Sequence, residues 1–252
     1  MGYNFSRRKF LENDAVNRYM LYEVKRFMQE VVLNGMTMDY RSSEAFKTLR
    51  TNIEFSGADK KVIIFTSCMP GEGKSTVSLS VASSLAESGK KVLFIDADLR
   101  KSVLAGRHKI DKEVKGLSHF LSGQAKLEEV LVKTSEPRLY AIFAGVIPPN
   151  PAELLESRSF EALLRETRKV YDYVIIDAPP LGSVIDGAIT AKYCDAAVMV
   201  IAANKISRKF AKDVKRQLEK TGCPIIGAVL NKVNVKQDKY YRKYYGKYYG
   251  KY

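Results

Sequence analysis

The order of apolar and polar positions divides the chain into stretches of different character. Residues 1–36 are mixed in charge, and Val16, Tyr19, Met20, Val24, Phe27 and Val31 stand at helical spacing. They predict one helix, stopped by Asn34-Gly35. A second helix is predicted over 41–55, with Ala45, Phe46, Leu49 and Ile53 on one side. From Lys61 the pattern changes to short apolar runs rich in β-branched residues: Val62–Phe65, Val92–Ile95, Leu139–Phe143, Tyr173–Ile176, Ala197–Ile201 and Ile225–Leu230. Runs without alternation are strands buried on both faces. Helical patterns lie between them, one ending near Gly89 and others over 160–170 and 206–220. The alternation predicts an α/β fold, a doubly wound, mostly parallel sheet flanked by helices and joined by right-handed crossovers. The proline-rich segment 145–155 reads as a rigid loop entering a helix, with Pro151 in the first turn, where its missing N–H costs nothing.

An apolar fraction of 46% in 252 residues supports a sizeable core. The longest apolar runs, such as Ala196–Ala203, fall far short of the roughly 18 residues that span a bilayer. No charged-then-apolar leader opens the sequence, so a cytoplasmic location is expected. Cys68, Cys194 and Cys223 are an odd number without paired spacing and read as reduced thiols. His108 and His119 are too few for a histidine metal cluster, so a metal here would take oxygen ligands. Lys and Arg outnumber Asp and Glu by 42 to 28, and the resulting +14 favours acidic partners: nucleotides, nucleic acid or an anionic membrane face. The charge concentrates in residues 239–252, Lys-Tyr-Tyr-Arg-Lys-Tyr-Tyr-Gly-Lys-Tyr-Tyr-Gly-Lys-Tyr, a four-residue repeat with no core pattern that is expected to be a disordered tail.

Chemistry enters between the first strand of the alternating region and its helix, at Ser67-Cys-Met-Pro-Gly-Glu-Gly-Lys-Ser-Thr76. Gly71 and Gly73 let the backbone, Glu72 included, turn its N–H groups toward phosphate oxygens, and the following helix adds the positive end of its dipole. Lys74 would neutralise the β- and γ-phosphates, the Ser75 hydroxyl would ligate Mg²⁺, and Thr76 would reach the α-phosphate. Cys68 replaces the usual first glycine of such a loop. Two further strands end in acid, Val92-Leu-Phe-Ile-Asp96-Ala-Asp98-Leu-Arg100 and Val174-Ile-Ile-Asp177. Ligands of open α/β sheets bind beyond the carboxyl ends of the strands, so the three aspartates should gather at the phosphate loop. Mg²⁺ needs only one or two carboxylates, which leaves one to handle a proton. Ser75, Asp96 and Asp177 are the candidate metal ligands; Asp96 is also the candidate base, while Asp98 and Asp177 would position Mg²⁺ and its waters, with the aspartate roles interchangeable at this stage. Asp186 is expected to cap the helix starting at Gly187. Asn231, after a strand, is explained equally by base binding and by loop structure.

In combination, Pro70-Gly-Glu-Gly-Lys-Ser-Thr76, Ile95-Asp-Ala-Asp-Leu-Arg100, Ile175-Ile-Asp-Ala-Pro-Pro180, the loop Pro148-Pro-Asn-Pro-Ala-Glu-Leu-Leu155 and the tyrosine-rich tail resemble the bacterial tyrosine kinases of capsule and exopolysaccharide synthesis. The resemblance spans roughly residues 38–252. It implies that Lys74 and Ser75 belong to Walker A, Asp96 and Asp98 to an additional Walker A′ motif, and Asp177 to Walker B. It also implies a ring-forming homo-oligomer built through Glu44-Ala-Phe-Lys47-Thr-Leu-Arg50, where Lys47 replaces the family's middle arginine and forgoes its bidentate contacts. A separate transmembrane activator or polysaccharide co-polymerase, an opposing tyrosine phosphatase, other protein substrates and a peripheral place at the inner face of the membrane follow from the same resemblance. Residues 1–37 would form an N-terminal helical extension, 38–235 the kinase domain and 236–252 the tail.

Kinase chemistry fits these residues. A tyrosine hydroxyl has a pKa of about 10, so a nearby carboxylate base helps it attack ATP at neutral pH. Tyr240, Tyr241, Tyr244, Tyr245, Tyr248, Tyr249 and Tyr252 are the expected acceptors, and the cations among them would be drawn to an aspartate-lined site. Positioning-type P-loop ATPases share the fold, but their signature lysine is Met69 here. Basic residues interleaved with aromatics also suit single-stranded nucleic acid or an anionic membrane; attached to an ATP site, the tail reads instead as substrate.

Overall fold

The computed structural model describes residues 28–35, 38–110 and 114–234. The expected N-terminal helix up to position 27 and the tail from 235 lie outside the described residues. Val31, the last position of that helical pattern, is instead in a short strand, β1 (Glu30–Val31), where it is buried. Asp39 then caps α1 (Tyr40–Phe55) by accepting from Ser42 N at 2.8 Å, and Ile53 is its buried residue.

The alternating region follows in the order β2 (Val62–Ser67), α2 (Lys74–Glu87), β3 (Val92–Asp96), α3 (Leu104–Arg107), α4 (Leu117–Leu121), α5 (Leu127–Val130), β4 (Val132–Thr134) and β5 (Leu139–Ile142). It continues with α6 (Pro151–Glu156), α7 (Arg158–Val170), β6 (Tyr173–Asp177), α8 (Asp186–Ala191), β7 (Ala196–Ala202), α9 (Arg208–Glu219) and β8 (Ile225–Asn231). One eight-stranded sheet results, ordered β1-β4-β5-β3-β6-β2-β7-β8. Every pairing is parallel except β4 with β5. All six apolar runs are strands, and Pro151 opens α6 as expected.

The continuous runs are explained by two cores, one on each face of the sheet. Val62 and Ile64 of β2 face one side with Phe160, Leu163 and Leu164 of α7. Ile63 and Phe65 face the other with Val77, Val81 and Leu85 of α2. Side chains alternate across a strand, so a central strand must be apolar at every position to satisfy both layers. Each fully buried Ile or Leu contributes about 1.5–3 kcal/mol. The strands that end in chemistry, β3, β6 and β2, are adjacent at the centre of the sheet.

Candidate active site

The loop after β2 turns through Gly71 and Gly73, at φ 78° and 89°. The Gly73 conformation is needed twice over, because a Cβ there would also sit 2.2 Å from Asn231 Nδ2. Glu72 is 1% exposed, and its carboxylate points into the protein. One oxygen accepts from Cys68 N at 2.7 Å and Met69 N at 2.8 Å, the other from Ala202 N at 3.0 Å. From outside, Asn231 donates to Glu72 O at 2.9 Å and Lys232 Nζ to Gly71 O at 2.6 Å. The side chain of Glu72 therefore braces the loop. Asn231 likewise spends its amide on the loop. Burial, and then the charge of Glu72, push the Cys68 thiol up to about 11, so this cysteine stays protonated and serves packing.

Lys74 opens α2, a helix whose N-cap, Gly73, offers no side-chain bond. Its ammonium lies 2.9 Å from Asp177 Oδ1, 3.7 Å from Asp98 Oδ2 and 3.3 Å from Ser75 Oγ. Asp96 and Asp177 are register partners on β3 and β6, which sets two carboxylates side by side. Ser78, one turn into α2, donates to Asp177 Oδ1 at 3.2 Å. Asp96 is fully buried; one oxygen accepts from Asp98 N at 3.1 Å and the other from the Ser102 hydroxyl. Burial first, then the charge of Asp177, push the Asp96 carboxyl up to about 7, against the opposing pull of the Ser102 hydroxyl and the Lys74 ammonium. The phosphate-loop lysine and all three predicted aspartates thus meet at one place.

Other expected positions fall elsewhere. Asp186 does not cap its helix: it is the first residue of α8, after the N-cap Ile185, which makes no side-chain cap bond. Its fully buried carboxylate takes Arg100 in a bidentate pair at 2.7 and 2.9 Å, and a buried carboxylate needs that cation more than the helix needs a cap. The Thr76 hydroxyl accepts from Arg107 Nη1 at 2.7 Å. Glu44 and Lys47 pair with each other on α1 at 2.7 Å, and Arg50 turns inward to donate to Ser84 O on α2 at 2.9 Å. The seven tail tyrosines lie outside the described residues. Ser78, Ser102 and Arg107 were not read from the sequence. Each is joined to the site by a fold contact and carries no motif of its own.

A phosphate loop between a central strand and its helix, with acidic strand ends beside it, defines a P-loop nucleotide-binding protein. The family model for the AAA domain matches residues 60–221. Tyrosine-protein kinase CpsD of Streptococcus agalactiae is 43% identical over 205 residues, 81% of this chain and 90% of that protein. The kinase domain of the Escherichia coli tyrosine kinase ETK superposes with a TM-score of 0.73 at 34% identity, over 76% of this chain and 75% of that one. The chain belongs to the bacterial tyrosine-protein kinases of capsule synthesis. The septum site-determining protein MinD of Pyrococcus horikoshii, solved with Mg-ADP, has a TM-score of 0.60 at 26% identity, over 69% of this chain and 71% of that one. Positioning-type ATPases are thus distant relations.

Proposed function

We propose that this chain is an ATP- and Mg²⁺-dependent protein-tyrosine kinase that phosphorylates its own tail in trans and so regulates capsular or exopolysaccharide synthesis and export. The observation that carries the reading is the meeting of the Ile95–Arg100 motif and the Asp177 strand end with the phosphate loop, Asp98 3.7 Å and Asp177 2.9 Å from the Lys74 ammonium. The donor set suits nucleotide. The start of α2 has no side-chain cap, and a Cβ on Gly71 would meet only open space. Among the described residues no group of three or more His, Cys, Asp or Glu side chains is arranged to hold a metal alone. That fits Mg²⁺, which takes one or two carboxylates and completes its shell with phosphate oxygens and water.

On this reading the N–H groups of Gly71, Glu72, Gly73 and Lys74 hold the phosphates and Thr76 the α-phosphate. Ser75, Asp96 and Asp177 would hold Mg²⁺, which when bound neutralises charge on the phosphates. The Lys74 ammonium balances the charge that develops on the transferred group. Asp96, buried beside Asp177 where the two strands end, is the candidate to take the proton from an incoming tyrosine hydroxyl, and Asp98 with Asp177 would position Mg²⁺ and its waters. The acceptors are Tyr240, Tyr241, Tyr244, Tyr245, Tyr248, Tyr249 and Tyr252.

Residues 38–235 would form the kinase domain, between the extension 1–37 and the tail 236–252. Glu44, Lys47 and Arg50 would contribute to a ring of copies, within which a tethered tail reaches millimolar effective concentration. No helix among the described residues is long and apolar enough to cross a membrane. By the resemblance to the family, a transmembrane activator would hold the chain at the inner face of the membrane, and a tyrosine phosphatase would reset the tail. Phosphotyrosine mass spectrometry after incubation with Mg-ATP and the activator's cytoplasmic end, beside a Lys74→Met chain, tests the proposal. Phosphate on Tyr240–Tyr252 in the unaltered chain alone is expected; steady ATP hydrolysis with unmodified tyrosines would sink it.

A further inference from the structure

Among the described residues, several exposed apolar side chains stand on loops that follow neighbouring strands, apart from others such as Phe55 and Tyr40 on the first helix. Met69 follows β2, Val103 follows β3, Val146 and Ile147 follow β5, and Ile185 follows β6; they are 42%, 43%, 59%, 71% and 52% exposed. Those four strands are consecutive in the sheet, and all five side chains lie on the loops at its carboxyl edge. The loops after β3 and β6 are tied to the catalytic groups or to the phosphate loop. Val103 follows Ser102, which bonds Asp96, and Ile185 precedes Asp186, which holds Arg100 of the acidic motif. Leu181, on the Ile185 loop, donates its N–H to Ser67 O at 2.9 Å. An apolar rim thus shares the carboxyl edge of the sheet with the aspartates. Side chains that remain so exposed at the mouth of a site mark a surface built to be covered.

We propose that this rim is the acceptor-recognition surface of the kinase, and that its ligand is the tyrosine-pair segment Lys239–Tyr252 of a second copy. The inference rests on the kinase reading above and adds which residues select the substrate. Three observations choose the occupant. The described chain ends at Asn234, three residues past Asn231, whose amide bonds the phosphate loop, so every copy launches its tail from this same edge. The segment carries seven tyrosines with five cations and no acid, which matches an apolar rim beside carboxylates. Its repeat also has the right length. From β5 to β2 is three strand spacings, about 14 Å, and four extended residues span about 13 Å. One repeat therefore crosses the rim at a time. One ring of a tyrosine pair packs on the apolar side chains while its partner offers a hydroxyl to the aspartates, and a slip of one repeat presents the next pair to identical contacts.

The test uses full-length chains. A Lys74→Met chain serves as acceptor at increasing concentration, and initial phosphotyrosine formation is followed with Mg-ATP and the activator's cytoplasmic end present. A Val146→Ser/Ile147→Ser kinase is expected to raise the KM for this acceptor about tenfold, as loss of partly buried apolar area implies. Its kcat, its KM for ATP and its melting temperature should stay as in the unaltered kinase. On the acceptor, Tyr241, Tyr245 and Tyr249→Ala should raise KM similarly, whereas the same positions →Phe should restore it, because the rim reads rings rather than hydroxyls. Unchanged KM for the rim variant, or equal behaviour of the Ala and Phe acceptors, would overturn the proposal. An unaltered kinase that fails to modify the acceptor at all would instead remove the kinase reading, and this inference with it.

Discussion

The phosphate loop, 67–73, and the proline-rich loop, 145–150, leave the same edge of the sheet yet are fastened very differently. The first is held from within by three N–H bonds to one buried carboxylate and from outside by Asn231 and Lys232. The second is held only at its two ends among the described bonds: before it Leu117 N and Ser118 N donate to Phe143 O at 2.7 Å and Ala144 O at 3.0 Å, and after it Asn150 donates to Glu153 at 2.7 Å and accepts from Leu154 N at 3.2 Å. Between the ends, Val146 and Ile147 stand in solvent. The difference follows the chemistry. Phosphoryl transfer depends on groups fixed to a fraction of an ångström, whereas recognition of a repetitive peptide needs area and register. Buried polar braces therefore gather on one loop and bare apolar side chains on the other.

The sharpest way to break the contrast is at Lys74. Its ammonium is the partner of Asp177, and both side chains are almost wholly buried. Lys74→Met should cost about 3–5 kcal/mol, since it strands a buried charge. Phosphotransfer should fall by about 10³-fold or more, in line with loss of a charge-stabilising group. Urea unfolding and single-turnover phosphorylation measure the two effects separately.

Next in size is Glu72→Gln. The variant keeps the shape but gives up the charge that draws three N–H groups to one side chain, so a loss of about 2–3 kcal/mol is expected. Nucleotide affinity should fall with it, because the loop loses the conformation that aims its N–H groups. A melting curve taken with and without nucleotide would separate the terms. Equal melting temperatures for Glu72→Gln and the unaltered chain would show that the brace is redundant.

Asn231→Ala tests the outer fastening. It removes the partly exposed bond to Glu72 O and the exposed one that Asn231 Oδ1 accepts from Lys232 N, so about 1–2 kcal/mol and a several-fold weaker nucleotide affinity are expected, read by calorimetry. Asn231 and Glu72 also mark the reach of sequence reasoning. The strands, the phosphate loop and the acids at strand ends were legible because each is a local signal: β-branched runs, two glycines at a turn, an Asp where a run stops. The job of Asn231 was not, since its partner Glu72 lies 159 residues away, and that of Glu72 was only partly local, two of its bonds coming from Cys68 and Met69 and the third from Ala202, 130 residues on. Ser102 escaped for a different reason: it lies six residues from Asp96, but nothing in that spacing announces a bond. Asp186 was misread because a capping rule weighs the nearest helix, while its partner Arg100 stands 86 residues off. Strand β4, three residues long, is too short for any period to register, and Val31 joined a helical pattern although the sheet claims it.

The smallest effect on stability belongs to the exposed loop and completes the comparison. Val146→Ser and Ile147→Ser replace side chains that water already surrounds, so the folded state loses little apolar burial. Surface changes away from caps, strain and buried pairs fall within about 0.5 kcal/mol, and both variants should unfold with the unaltered chain in urea. Gly145, one residue earlier, is different despite equal proximity to solvent. At φ 81° a Cβ there would sit 2.7 Å from Ser118 Oγ and 2.9 Å from His119 Nδ1. Gly145→Ala should therefore be the costlier change, by about 1 kcal/mol or more, from strain at positive φ together with the displaced side chains. If Ile147→Ser proved as destabilising as Gly145→Ala, the apolar side chains would be structural, and the loop could no longer be read as a fixed root carrying a free recognition tip.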